Sequence, residues 1–260
     1  MAEVTTTATA ATAAAAAKKQ KTAVHGLSPI CAPSILSADF ALLAPDVQLV
    51  HDAGAAWVHV DVFDGNFVPN LTIGPPVVKA IRKHVPDSYL DCHLCVLNPQ
   101  NYVDDMKKAG ASQFTFHWEA QGVDEDLDKA KALIAAVRDA GMNVGIALAP
   151  ETSAEVLFPL VDENILDTVL LMSVRPGFGG QKFMPSVLPK VEALRKRNKT
   201  INVQVDGGIT LDNAKEVALA GANVLVAGST VYSASNPPAE QVKALVDLIS
   251  TGLAESRNFA

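Results

Sequence analysis

Histidine and aspartate at alternating positions carry the first chemical signal. In the stretch Trp57 to Phe63, His59 and Asp61 alternate with Val58, Val60 and Val62, and residues two apart in an extended strand share a face. Tyr89 to Cys95 repeats the pattern, with Asp91, His93 and Cys95 on one face and Leu90, Cys92 and Leu94 on the other. A third such stretch ends in Gln204-Val205-Asp206-Gly207-Gly208. If three strands turn these faces to one point, His59, Asp61, His93 and Asp206 converge, and carboxylates buried together need partners or a cation. Mixed imidazole and carboxylate donors suit one divalent metal, with zinc, ferrous iron and manganese all compatible. His117 also closes a strand-like stretch, whereas His25, His51 and His84 fall in the N-terminal tail or in helical stretches. These four read as structural or solvated.

A second signal is glycine. Arg175-Pro176-Gly177-Phe178-Gly179-Gly180-Gln181, Asp206-Gly207-Gly208 and Ala227-Gly228-Ser229 follow three successive strand-like runs. Glycines let backbone N–H groups close on an anion, so the three clusters together point to a phosphate. Asp64 to Gly74 is a long loop punctuated by Gly and Pro, directly after the His59 and Asp61 run. Loops of that length beside a site often act as lids.

Strand ends must position these groups. Eight short runs fit: Ile30 to Leu36, Trp57 to Phe63, Tyr89 to Cys95, Gln113 to His117, Asn143 to Leu148, Thr168 to Val174, Ile201 to Asp206 and Val224 to Ala227. Between them lie helical stretches such as Asp39 to Ala53, Asp124 to Ala140 and Asp212 to Ala220, each with an Asp available as N-cap and each followed by Gly. The 234 residues from 27 onward give about 29 per unit, close to the ~30 of a βα repeat. Alternating strands and helices of this kind predict an α/β fold, a single (β/α)8 TIM barrel, with chemistry at the C-terminal ends of its strands. An open doubly wound sheet is disfavoured, because Ser34-Ile35-Leu36-Ser37-Ala38-Asp39 after the first run lacks the glycines of a dinucleotide fingerprint.

Composition excludes other classes. A net charge of -7 argues against nucleic acid as a partner, and no apolar run approaches the ~20 residues that cross a bilayer, so no membrane partner is expected. Three cysteines, Cys31, Cys92 and Cys95, form no disulfide framework and suit a reducing compartment. Residues 1–26 hold ten Ala and six Thr with no aromatic residue, which predicts a disordered tail before a barrel domain over 27–260. The tail is acid-poor, like a plastid transit peptide, but has no Ser or Arg, so the reading here is a solvated extension.

The runs His59-Val-Asp61-Val-Phe-Asp64-Gly65-Asn-Phe-Val-Pro69-Asn70-Leu-Thr-Ile-Gly74, Asp91-Cys-His93-Leu, Pro176-Gly177-Phe178-Gly179-Gly180-Gln181-Lys182-Phe183 and Val205-Asp206-Gly207-Gly208 together resemble the ribulose-phosphate 3-epimerases. The resemblance spans about Ile30 to Tyr232 and is closest to the cytosolic eukaryotic branch around Asp91-Cys-His93-Leu and Phe114-Thr-Phe116-His117. It implies an isomerase of the pentose phosphate pathway that interconverts D-ribulose 5-phosphate and D-xylulose 5-phosphate by two-aspartate proton transfer at C3 through an enediolate. His59, Asp61, His93 and Asp206 would be ligands of one divalent metal, with Asp61 and Asp206 also the acid and base. Ser34, His93, Gly177, Phe178, Gly179, Gly180, Gly207, Gly208, Gly228 and Ser229 would hold substrate, and Phe63, Cys95 and Met172 would line the pocket. Phe63 and Cys95 stand where the family usually has methionine, Arg175 where it has Glu or Asn, and Gln204 where Glu is common. The resemblance also implies a cytoplasmic homodimer, with a hexamer as the other assembly. D-allulose 6-phosphate as substrate and a non-catalytic sugar-phosphate-binding barrel are the competing functions.

Overall fold

The computed structural model describes residues 23–123, 125–232 and 235–259, so residues 1–22 of the expected tail lie outside the described residues. The strands are β1 (Ile30–Pro33), β2 (Trp57–Phe63), β3 (Tyr89–Cys95), β4 (Gln113–His117), β5 (Asn143–Leu148), β6 (Thr168–Met172), β7 (Asn202–Asp206) and β8 (Val224–Ala227). Between and after them run α1 (Leu43–Asp52), α2 (Pro75–His84), α3 (Val103–Ala109), α4 (Leu127–Asp139), α5 (Phe158–Asp162), α6 (Leu188–Arg197), α7 (Ala214–Ala220), α8 (Ser229–Tyr232) and α9 (Pro238–Glu255). All paired strands are parallel, in the order β1-β8-β7-β6-β5-β4-β3-β2. A parallel bridge between Ser34 and His59 brings β1 back to β2, and the eight strands form a nearly closed (β/α)8 barrel.

The alternation read from sequence holds in three dimensions. Val58, Val60, Val62, Leu90, Cys92 and Leu94 belong to the main apolar core with Val47, Val50, Val78 and Ile81 from α1 and α2, because the outer face of a barrel strand must pack on helices. The opposite face of β2 and β3 points inward. Register places His59 beside Asp91 and Asp61 beside His93.

Element starts depart from expectation where a side chain competes for backbone. β1 stops at Pro33 and not at Leu36, because Ser34 caps a 3-10 turn at Ile35–Ser37 by accepting from the Leu36 N–H. α1 begins at Leu43 and not at Asp39, since Asp39 accepts from the Ala41 N–H at 2.9 Å and forms a turn of its own. α4 is capped by Asp126, which accepts from Asp128 and Lys129 N–H; Asp124 lies outside the described residues. α7 starts at Ala214 after Asn213, whose side chain accepts from Thr210 instead. β6 ends at Met172, where Ser173 turns to bond Asp206, and β7 begins at Asn202 after a turn tied by Asn198. Residues 23–26, read from sequence as part of the tail, are among the described residues and make contacts. Val24 bridges Leu27, and His25 stacks on Phe259 at 4.4 Å.

Two arginines fasten the lower rim. Arg82 of α2 donates from Nε to Gly110 O, from Nη1 to Pro86 and Ser88 carbonyls, and from Nη2 to Ser112 Oγ. Arg195 of α6, with no exposed surface, donates to Gly221, Asn198 and Ile201 carbonyls and to Asn223 Oδ1. Among the described residues no helix is long and apolar enough to cross a membrane. Arg195→Met leaves those acceptors without their shared donor and is expected to lower unfolding free energy in urea by ~2–4 kcal/mol. An unchanged denaturation midpoint would show that the clamp is dispensable.

Candidate active site

The upper end of the barrel gathers the polar residues. Asp91, fully buried on β3, accepts from Gln113 Nε2 at 2.7 Å, Gln204 Nε2 at 2.5 Å and His59 Nδ1 at 2.8 Å. A carboxylate only accepts, so the bond to Asp91 puts a proton on His59 Nδ1 and turns Nε2 toward the cavity. There Nε2 lies 3.5 Å from Asp61 Oδ1 and 3.7 Å from Asp206 Oδ2. His93 Nδ1 lies 3.4 Å from the same Asp61 oxygen, 3.8 Å from Asp206 Oδ2 and 3.4 Å from His59 Nε2. The other Asp61 oxygen accepts from Ser34 Oγ at 2.6 Å. All four residues expected to meet do so.

These separations test the fit of a cation. Donor atoms ~2.0–2.2 Å from a common centre lie roughly 3.3–3.6 Å apart when tetrahedral. The observed 3.4–3.8 Å is close to that, and the nitrogens and oxygens are those a divalent ion takes. Charge points the same way. Burial pushes the Asp206 carboxyl up to about 7 against the pull of His59, with Asp61 and Asp91 adding to the rise. Burial acts on Asp61 too, but His59 outweighs it and holds this carboxyl well below the usual range. Burial would lower His59, yet Asp61 and Asp91 raise it well above an ordinary imidazole. The chain by itself thus keeps its carboxylates together by holding protons where a cation could stand.

One cavity opens above this cluster. Ser34, Asp61, Phe63, His93, Met172, Gly177, Phe178, Gly179, Gly180, Asp206, Gly207, Gly208, Gly228 and Ser229 all line it. Two of its glycines are obligatory. Gly208 has φ +63, and a Cβ there would stand 2.8 Å from Phe183 Cα; Gly207 has φ +119, and a Cβ there would stand 2.9 Å from Val174 N. Across the mouth, Asn70 Nδ2 donates to Gly177 O at 2.6 Å, joining the loop after β2 to the loop after β6. Asp64 holds the former loop by accepting from Asn66, Phe67 and Leu97 N–H.

Two expected residues are fully buried and do not themselves line this cavity. His59 forms the floor beneath the cavity, and Cys95 lies behind the wall, fully buried against Phe63 and Val68 with its sulfur 3.4 Å from His93 Nε2. Cys95 follows His93 on the same face of β3, but its sulfur lies against the Nε2 atoms of His93 and His117 at 3.4 Å, and Phe63 and Met172 form the apolar wall. Sequence reasoning underrated His117 and passed over Glu119; both sit directly behind His93. Their signal was a further pair two residues apart at a strand end. Arg175 pairs at the rim with Glu151 at 2.9 Å.

Residues 30–232 match the model of the ribulose-phosphate 3 epimerase family. The chain belongs to the ribulose-phosphate 3-epimerase family. It is 49% identical over 207 residues to the cytoplasmic isoform of ribulose-phosphate 3-epimerase from Oryza sativa subsp. japonica, covering 79% of this chain and 88% of the relative. Identity is 50% over 208 residues to the enzyme of Schizosaccharomyces pombe, with the same coverage, and 46% over 215 residues to that of Mycobacterium tuberculosis, covering 81% and 89%. Membership makes this epimerase-family chain a carbohydrate isomerase. Among solved structures, 3-hexulose-6-phosphate synthase from Salmonella typhimurium superposes with TM-score 0.64 at 18% identity, covering 85% of this chain and 98% of that one. KGPDC from Streptococcus mutans also gives 0.64 at 18%, covering 85% and 97%. These two share the barrel fold.

Burial and the negative charges of Asp61 and Asp91 push the Asp206 carboxyl up to about 7 in the cation-free chain, so protons compete with a divalent ion for this donor set. Apparent zinc affinity is therefore expected to fall by about tenfold or more from pH 8 to pH 6. Competition with a chromophoric chelator at the two pH values reads this, and equal affinities would contradict the raised Asp206 carboxyl.

Proposed function

We propose that the chain interconverts D-ribulose 5-phosphate and D-xylulose 5-phosphate by inverting C3. The observation that supports this best is the pair of carboxyls Asp61 on β2 and Asp206 on β7, which face one cavity with glycine backbone on its far wall and whose surroundings push their proton affinities in opposite directions. Epimerisation needs a base on one side of the carbon and an acid on the other, and environments that push two carboxyls apart assign those roles.

Asp61, ionised and steadied by Ser34, takes the C3 proton of ribulose 5-phosphate. Asp206 then gives its proton to the opposite face, and the roles exchange in the reverse direction. His59, Asp61, His93 and Asp206 would hold one divalent cation, with zinc, ferrous iron and manganese all suited to the donors. When bound, such an ion supplies the Lewis acidity that makes the C3 proton removable and steadies the enediolate charge. Phe63 and Met172 keep water from the exchanging protons. Gly177, Gly179, Gly180, Gly207, Gly208, Gly228 and Ser229 grip the phosphate, which orients the reacting carbon from a remote, unreactive group.

The cytosol is the proposed location, supported by the likeness to the cytoplasmic rice isoform; a plastid address would rest on residues 1–22. A homodimer is the proposed assembly, with exposed Phe40, Leu42 and Leu49 as the apolar surface it could cover.

With metal-replete protein in deuterated water, deuterium is expected to enter C3 as xylulose 5-phosphate accumulates. Asp206→Asn should lower kcat at least about 100-fold with the far-UV spectrum unchanged, and full activity in that variant would remove the two-carboxylate mechanism. Parallel assay of D-allulose 6-phosphate fixes chain-length preference. Gly208→Ala, which forces the phosphate wall outward, should lower kcat/KM by ~10–100-fold.

A further inference from the structure

A line of side chains braces His93 from behind, and the mechanism above makes no use of it. His93 Nε2 lies 2.9 Å from Nε2 of His117 on β4, and His117 Nδ1 lies 3.2 Å from Glu119 Oε2. The other Glu119 oxygen accepts from the Ala149 N–H at 2.8 Å and from Thr152 Oγ1 at 2.5 Å. Lys190 Nζ pins that turn by donating to the carbonyls of Pro150 at 2.6 Å and Thr152 at 2.5 Å. Both imidazoles are fully buried.

The bonding pattern settles each tautomer from the outside inward. Glu119 only accepts, so His117 carries its proton on Nδ1 and leaves Nε2 bare. Two nitrogens 2.9 Å apart share a single proton, and His93 must supply it from Nε2. What remains is a bare His93 Nδ1 facing Asp61 and Asp206. We propose that His117 and Glu119 are positioning residues that fix His93 in its Nε2–H tautomer and aim its Nδ1 lone pair into the site. They do for His93, through two links, what Asp91 does for His59 through one. Partners of this kind orient a ligand and raise its basicity. The proposal rests on His93 as a cation ligand.

A competing arrangement shares these atoms. Cys95 Sγ lies 3.4 Å from the Nε2 of both histidines, so the trio could grip a second, thiophilic ion. That would require the shared proton to leave and His93 to become a bridging anion, whereas the hydrogen bond satisfies both facing Nε2 atoms as it stands.

Long-range proton–nitrogen NMR of the full chain at pH 8, labelled at histidine, before and after one equivalent of zinc, tests this directly. His93 should show Nε2–H and His117 Nδ1–H in both states, with zinc moving the His93 Nδ1 resonance. A zinc-free chain with His117 protonated at Nε2 or His93 at Nδ1 overturns the proposal whether or not zinc binds. Zinc failing to bind the parent chain would instead remove the metal reading, and the tautomers would still decide this one. Glu119→Ala should weaken zinc binding ~10–100-fold and lower kcat with little change in KM. Glu119→Gln, which keeps one acceptor oxygen, should recover part of both. Unchanged zinc affinity in Glu119→Ala overturns the proposal, as does a second bound cobalt equivalent with a thiolate charge-transfer band that Cys95→Ser abolishes.

Discussion

The Asp91 carboxylate, without exposed surface in the middle of the barrel, is the charge around which the rest is arranged. An ion stripped of water costs several kcal/mol unless donors surround it, and here the donors come from β2, β4 and β7 at once: His59, Gln113 and Gln204. Satisfying this one group ties three strands at the same height and commits His59 to a single orientation. Gln113 extends the tie by accepting from Thr168 Oγ1 at 2.8 Å, which brings in β6. Gln204 suits its place because an amide can donate to Asp91, which an ionised glutamate cannot.

Polarity changes with height along the barrel axis. Ile30, Trp57 and Val224, at the starts of β1, β2 and β8, belong to an apolar cluster at the lower end, the amides and Asp91 occupy the middle, and the Asp61 and Asp206 carboxyls lie above. Asp61 and Asp206 differ in fate because of their neighbours and not their type. Ser34 and the His59 imidazole favour the charged form of Asp61, while Asp206 is raised by burial, has imidazoles only at 3.7 Å and beyond and feels the negative charge of Asp61 and Asp91. The proposed division of one side chain type into acid and base rests on this difference in surroundings.

Much of this was legible in the chain. Alternation along β2 and β3 revealed which residues face inward, and recurring Ala-Gly dipeptides marked the helix ends, as at Gly110 and Gly221, both left-handed. Glycine clusters after β6, β7 and β8 foretold one shared cavity. What stayed hidden depends on neighbours across strands. Nothing in the local pattern says that His117 meets His93, since that contact is set by the β3–β4 register, or that the Cys95 sulfur lies against both imidazoles. Element starts were misplaced wherever an Asp, Ser or Asn side chain took the backbone into a turn, because the same residue types serve caps and turns alike.

The arginine clamps of the lower rim have a counterpart relation that reaches the site. Arg82 and Arg195 occupy matching places in α2 and α6, each binds the glycine that ends the following helix, and each reaches a polar side chain two residues beyond it, Ser112 or Asn223. Those side chains in turn accept from Leu90 and Val203 N–H. The interval from Arg82 to His93 equals that from Arg195 to Asp206. His93 and Asp206 are thus the same position in two quasi-equivalent half-barrels, related by an approximate twofold axis along the barrel. The scaffold repeats itself, and the chemistry breaks the repeat, with an imidazole at one copy of the position and a carboxyl at the other.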